Sequence, residues 1–164
     1  MITLVLGGTR SGKSEVGERI AASWQRPVTY VATGRVTDDD MAERIAHHQR
    51  RRPGDWATVE AGADLPAVLV SEDGPVLVDS LGTWVAGFPD LRPDVAALCA
   101  ALAKRTADTV VVSEEVGLGV HPVTELGRRF ADALGELNRA VADVADEVLL
   151  VVAGRVLPLA RWTP

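Results

Sequence analysis

The stretch GGTRSGKS, residues 7–14, decides how this chain folds. It matches the pattern G-x-x-x-x-G-K-[ST], with Gly7, Gly12, Lys13 and Ser14 at the fixed positions. The pattern carries meaning between a strand and a helix, and both are legible here. ITLVLG, residues 2–7, is a short apolar run, and residues 13–24 space their apolar side chains as a helix does. The glycines let the loop bend so that successive backbone N–H groups face inward. The helix N-terminus adds a favourable potential for anions. The expected ligand is a nucleotide, with Lys13 reaching its β- and γ-phosphates and the Ser14 hydroxyl binding Mg²⁺.

Outward from this loop, VTYVA (28–32), WATVE (56–60), PVLVD (75–79), TVVVSE (109–114) and EVLLVVAG (147–154) read as strands, and RVLPLA (155–160) as one more. Helices are expected over about 38–51, 93–106 and 124–145. The first begins at Asp38–Asp40, turns Met41 and Ile45 to one face, and is stopped by Pro53. LPAVLVSED (65–73) fits a helix or a strand. The strands are continuous apolar runs rather than alternating ones, which predicts a mostly parallel sheet covered by helices on both faces. Alternation of strand and helix makes the class α/β, and 164 residues suit a single nucleotide-binding domain spanning 1–164.

Composition narrows the partners. Lys and Arg number 17 against 23 Asp and Glu, a net charge of -6, whereas a general nucleic-acid binder is more often basic. No nucleic-acid partner is expected. The single cysteine, Cys99, allows no intramolecular disulfide and reads as a small core residue on a helix, in keeping with a reducing cytoplasm. The N-terminal apolar run is too short for a signal peptide, and no run approaches the ~18 apolar residues of a membrane span. A cytoplasmic protein is the expectation.

A Mg²⁺ ion on such a loop wants a carboxylate at the end of a neighbouring strand. Asp79, Glu114 and Glu115 all end apolar runs. Asp79 is preferred, because VLV leads straight into it as a Walker-B strand does. Three nucleotide chemistries then compete. A regulatory GTPase reads guanine with an Asn-Lys-x-Asp loop, and the single asparagine, Asn138, stands in LNRA on a helix. A small-molecule kinase needs the loop, Mg²⁺ and an acceptor. A nucleotidyltransferase with a covalent intermediate needs a nucleophile near the α-phosphate. RIAHHQRRRPGDW, residues 44–56, offers two histidines beside Arg50, Arg51 and Arg52. A neutral imidazole is a usable nucleophile at neutral pH, and guanidinium groups neutralise phosphate charge through charge-assisted hydrogen bonds. The competing explanation is a solvated helix end, where basic residues are favoured by the dipole.

These segments occur in order with VATG, DDDMAERIAHHQRRRPGDWATVEA, VLVDSLGTWV, VVVSEEVGLGVHP and LGRRFADALGELNRAVADVADEVLLVVAG. Together, from Ile2 to about Leu159, they resemble the bifunctional adenosylcobinamide kinase / adenosylcobinamide-phosphate guanylyltransferase family of cobalamin biosynthesis. The Arg-Ile-x-x-His-x-x-Arg-Arg-Pro pattern and the Glu-Val-Gly-x-Gly-x-x-Pro loop are more specific than the P-loop. The resemblance implies a P-loop fold similar to the RecA-like proteins, a homotrimer, GTP and ATP as substrates, and an adenosylcobinamide acceptor. It implies that His48, in the family spacing, becomes guanylylated, with His47 in a supporting role at most. It further implies nucleotide contacts from the loop itself (Gly7, Gly8, Thr9, Arg10, Ser11, Gly12, Lys13 and Ser14), from Thr33, Gly34 and Arg35, from Gln49, Arg50, Arg51 and Arg52, and from Glu60 and Asp79. A carboxylate at Glu60 can accept both the N1–H and the N2–H of guanine. Two features depart from the family. Its loop often reads Ser/Thr-Asn-Glu-Val-Gly, where this chain has Glu114 in the asparagine position, and the segment between Trp84 and Asp94 is short. A plain small-molecule kinase and a non-catalytic nucleotide-binding module remain the alternatives.

Overall fold

The computed structural model describes residues 1–34 and 54–162. Its centre is one seven-stranded sheet: β1 (Ile2–Gly7), β2 (Thr29–Ala32), β3 (Ala57–Glu60), β4 (Val76–Asp79), β5 (Thr109–Glu114), β6 (Glu147–Val152) and β7 (Arg155–Pro158). The order across the sheet is β3-β2-β4-β5-β1-β6-β7. All neighbours are parallel except β6 and β7. That last pair is a hairpin whose two turn residues, Ala153 and Gly154, have φ of 50° and 72°. Positive φ at both central positions matches the sheet's twist. Pro158, which cannot donate to a ladder, sits on this edge strand.

The continuous apolar runs are explained by burial on both faces. Leu4, Leu6, Val76, Val78 and Val111 enter one core, while Val5, Leu77, Val110 and Val112 enter the other. Helix α1 (Lys13–Ser23) covers the second core. The first is closed by α2 (Leu65–Ser71), α3 (Leu81–Ala86), α4 (Val95–Lys104) and α5 (Glu125–Val144). On α5, Leu134, Leu137, Asn138 and Val141 are buried, which is the i, i+3, i+4, i+7 stripe of an amphipathic helix. Asp94 and Thr124 cap α4 and α5 by accepting from Ala97 N and Gly127 N.

In LPAVLVSED the structure makes the first seven residues helix α2 and leaves Glu72 and Asp73 beyond its end. Arg105 satisfies carbonyls at and just beyond the C-terminus of α2: Nη1 donates to Leu69 O (2.7 Å) and Glu72 O (2.6 Å), and Nη2 to Gly74 O (2.5 Å). Burial pushes the Arg105 guanidinium below its ordinary value, against the opposing pull of Glu72 and Asp73. Cys99 lies on α4, half-buried against the core; burial, then Asp143, raises its thiol. Helix α3 was not foreseen, because six residues are too few to show a period. Its start signal is a capping box built with threonine: Ser80 Oγ accepts from Thr83 N, and the Thr83 side chain accepts from Ser80 N. The helix expected over 38–51 lies outside the described residues.

Asn138 joins this fold to the site edge. Its Oδ1 accepts from Ser113 Oγ at 2.6 Å, and its Nδ2 donates to Glu114 O at 3.0 Å. Asn138→Ala strands both partners. We expect a loss of about 2–3 kcal/mol of unfolding free energy, read from urea denaturation. A loss under about 0.5 kcal/mol would show that the bridge contributes little.

Candidate active site

The C-terminal ends of five parallel strands bring Gly7, Ala32, Glu60, Asp79 and Glu114 to one edge of the sheet. In open α/β sheets this edge holds the ligand. The loop after β1 turns there through Arg10 (φ 57°) and Gly12 (φ 94°). Ser11 N donates to Gly8 O at 3.2 Å, and Gly154 N donates to Ser11 O at 2.8 Å, so the β6–β7 turn braces the loop from behind. A Cβ on Gly7 would stand 2.9 Å from Val151 O and run into Ser11 Oγ. Gly12 occupies the N-cap of α1 and supplies no side-chain cap. The N–H groups of the first turn therefore have the geometry to receive an anion.

The three candidate carboxylates separate by what they face. Asp79 accepts from Ser14 Oγ at 3.3 Å through Oδ1 and from Tyr30 OH at 3.1 Å through Oδ2. Glu114 pairs with Lys13, Oε1 to Nζ 3.6 Å. Glu115 turns into the following loop, where Oε1 accepts from Gly117 N at 2.6 Å, while its own N–H donates to Gly7 O at 3.0 Å. Among the described residues no three His, Cys, Asp or Glu side chains converge as a metal cage. Asp79 and the Ser14 hydroxyl nevertheless fit Mg²⁺. They are adjacent hard oxygen donors, and Mg²⁺ takes one or two protein ligands while water and phosphate oxygens fill the rest.

Thr33 is buried and its hydroxyl is engaged: it donates to Ser80 O at 2.6 Å, accepts from Ser80 N at 3.0 Å and lies 2.6 Å from Thr83 Oγ1. Gly34 lies beside Thr83, 3.5 Å from its Cβ to a Cβ built on the glycine. Glu60 is exposed at the end of β3, opposite Ala32. Gly8, Thr9 and Arg10 form the outer part of the loop. Arg35, His47, His48, Gln49, Arg50, Arg51 and Arg52 lie outside the described residues.

Sequence reasoning missed Tyr30, Ser80 and Gly82. Tyr30 is buried in an apolar run, and nothing in VTYVA tells where its hydroxyl points. Ser80 had a signal, the S-x-x-T spacing directly after Asp79. Gly82 is a helix residue where a Cβ would collide with the Glu114 carboxylate.

The family model for cobinamide kinase / cobinamide phosphate guanyltransferase matches residues 3–159. The bifunctional adenosylcobalamin biosynthesis protein CobP of Pseudomonas aeruginosa is 40% identical over 168 residues, covering 97% of this chain and 97% of that protein. The bifunctional adenosylcobalamin biosynthesis protein CobU of Escherichia coli is 35% identical over 176 residues, covering 94% and 97%. Among solved structures, the KaiC-like protein PH0186 of Pyrococcus horikoshii superposes with a TM-score of 0.52 at 15% identity, over 91% of this chain and 71% of that one. An ATPase from a bacterial type III secretion system gives 0.52 at 10% identity, over 91% and 50%. At such identities these structures speak for the fold alone, an α/β P-loop architecture.

Lys13→Ala removes the loop side chain best placed to meet β- and γ-phosphate charge. Nucleotide-dependent product formation is expected to fall about 10²–10³-fold, with the melting temperature held. Product at the parent rate would refute the loop's role.

Proposed function

The chain belongs to the cobinamide kinase / cobinamide phosphate guanyltransferase family, and from that premise we propose how one phosphate cradle serves both of its reactions. The protein is an adenosylcobinamide kinase and adenosylcobinamide-phosphate guanylyltransferase of cobalamin biosynthesis. The observation that carries our reading of the site is that Lys13 and Ser14, at the N-terminus of α1, stand at the strand ends where Ser14 meets Asp79.

In the kinase reaction, ATP or GTP lies with its β- and γ-phosphates against the loop from Gly7 to Ser14. Lys13 balances their charge, and Ser14 and Asp79 would hold Mg²⁺, which would supply further positive charge to the phosphates. The γ-phosphoryl group passes to the hydroxyl on the aminopropanol arm of adenosylcobinamide. In the second reaction a ring nitrogen of His48 attacks the α-phosphorus of GTP. A P–N bond forms, the bond to the leaving oxygen breaks, and pyrophosphate departs. The phosphate of adenosylcobinamide phosphate then takes the GMP group, giving adenosylcobinamide-GDP and free His48.

Arg50, Arg51 and Arg52 neutralise the departing charge, Gln49, Gly34 and Arg35 line the nucleotide, Thr33 backs them through Ser80, and Glu60 reads guanine. Gly34 follows Thr33 just past the end of β2, where a Cβ built on it would lie 3.5 Å from Thr83 Cβ. The homotrimer belongs to the same reading, as does a cytoplasmic location. Exposed Leu118, Val120, Val123 and Leu126 on one side and Val156, Leu157 and Trp162 on another supply apolar surface for contacts between copies. No described helix is long and apolar enough to cross a membrane.

Incubation with α-labelled GTP and Mg²⁺, followed by peptide mapping, tests the covalent step. Label should be acid-labile and base-stable, absent in His48→Ala and present in His47→Ala. Adjacent helical positions point ~100° apart, so in a helix the two rings do not address one phosphorus alike. Label lost in His47→Ala but kept in His48→Ala would reverse the assignment. Label absent from the parent, with γ-transfer intact, would leave a plain kinase.

A further inference from the structure

The contact between Lys13 and Glu114 has no part in the roles assigned so far. Glu114 ends β5, the strand between β1 and β4, and its carboxylate is held from several sides. Ser80 Oγ donates to it, 2.9 Å from Oε1 and 3.0 Å from Oε2, and Gly82 N donates to Oε2 at 2.9 Å. The missing side chain at Gly82 leaves the space it fills. Asn138 holds the Glu114 carbonyl, so the backbone beneath is fixed as well. Ser80 thus bridges both oxygens and Gly82 N holds Oε2, while Oε1 is the oxygen that also faces Lys13, 3.6 Å from its Nζ. The side chain keeps 26% of its surface exposed.

A site built only to hold a polyanion gains nothing from a carboxylate here. Once Lys13 turns to the β- and γ-phosphates, Oε1 faces the γ-phosphate side of the loop with acceptor capacity to spare. A negative charge beside phosphate costs binding, so its use must lie in a later step. We propose that Glu114 is the proton acceptor of the kinase half-reaction, which deepens the function proposed above and rests on it. The alcohol oxygen of adenosylcobinamide bonds to the γ-phosphorus. The bond from that phosphorus to the β,γ-bridging oxygen breaks, and its electron pair leaves with the nucleoside diphosphate. The alcohol proton passes to Oε1 and leaves to solvent from the exposed side of the carboxylate. An amide at this position could orient a hydroxyl but could not take its proton. Guanylylation of a neutral histidine has no hydroxyl to deprotonate and makes no such demand.

The test is Glu114→Gln, which keeps the shape and an oxygen able to accept from Gly82 N. Kinase kcat, followed with γ-labelled ATP and adenosylcobinamide, should fall about 10²-fold, the lower end for a general base because phosphoryl transfer is loose. The nucleotide KM should stay within about threefold or tighten, since a like charge is removed. The kinase loss should exceed the loss of labelling from α-labelled GTP at least about tenfold. Glu114→Asp, which restores a carboxylate, should recover part of the kinase rate relative to Gln. An unchanged kcat in Glu114→Gln would overturn the inference, and so would an equal fall in both reactions with weaker nucleotide binding, which would make Glu114 a holder of Lys13. A parent that fails to phosphorylate adenosylcobinamide would sink the functional reading itself, and this inference with it.

Discussion

Helix α1 lies so close to the sheet that position 17 has room for hydrogen and little else. A Cβ on Gly17 would stand 2.9 Å from Val112 Cγ2 and 3.3 Å from Leu77 Cδ1. Leu77 belongs to β4 and Val112 to β5, so this one approach sets the helix down over both strands. β4, which ends in Asp79, is not the neighbour of β1; β5 lies between them. Ser14 meets Asp79 because the helix crosses that gap at close range, and Lys13 meets Glu114 on the intervening strand. A bulkier residue at 17 would lift the helix and separate both pairs together. A glycine costs about 1 kcal/mol of helix propensity relative to alanine, and the site is what that cost secures.

The electrostatics follow from the same closeness. The protein is acidic overall, with a net charge of -6, yet the cradle has the features of an anion site. The conflict is resolved locally. Backbone N–H groups and the start of α1 supply positive potential without net charge, and Lys13, whose side chain is only 12% exposed, acts with little screening. The acids at the edge are engaged: Asp79 by two hydroxyls, Glu114 by a hydroxyl, an N–H and an ammonium. Thr33, Ser80 and Thr83 fill the gap between β2 and α3 with hydroxyls that satisfy one another, so the strand ends stay rigid without buried unpaired groups.

What the residues announced in advance is what local chemistry encodes. GGTRSGKS and the double-sided apolar strands were enough for the loop and a mostly parallel α/β sheet, and VLVD was enough to put Asp79 at a strand end. The preference for Asp79 over Glu114 rested on the run before it, and the structure puts Asp79 against Ser14. What stayed hidden depends on contacts between distant segments. Nothing in VTYVA shows that Tyr30 will reach a carboxylate 49 positions away, or that the strand after it in space is β4. Glu114 read as a spare metal ligand because its partners, Ser80 and Gly82 on one side and Lys13 on the other, come from two other places in the chain. Helix α3 was invisible for another reason: LGTWVA is shorter than two turns, and its N-cap works only once Asp79 has placed Ser80 at the strand end.

The two edges of the sheet divide the work, and the division has a physical basis. At the opposite edge the contacts are structural. Arg105 caps α2, Ile2 N donates to Asp146 at 2.6 Å, and Asp108 pairs with the N-terminus at 3.1 Å and with Arg26 at 2.9 Å. The exposed pairs among these are worth little, about 0–1 kcal/mol each, while the half-buried Arg105 bonds hold carbonyls that would otherwise be orphaned. Parallel strands make this segregation possible, since every strand delivers its last residue to one side and its first to the other. The loops that leave the last residues are free to vary in sequence around Lys13, Ser14 and Asp79. Their anchors, Asn138 beneath Glu114 and the Ala153–Gly154 turn behind Ser11, belong to elements that the core already holds rigid. The reactive groups can therefore be exposed enough to meet a large acceptor without being loose, because each is fixed from below by an element whose other face is buried.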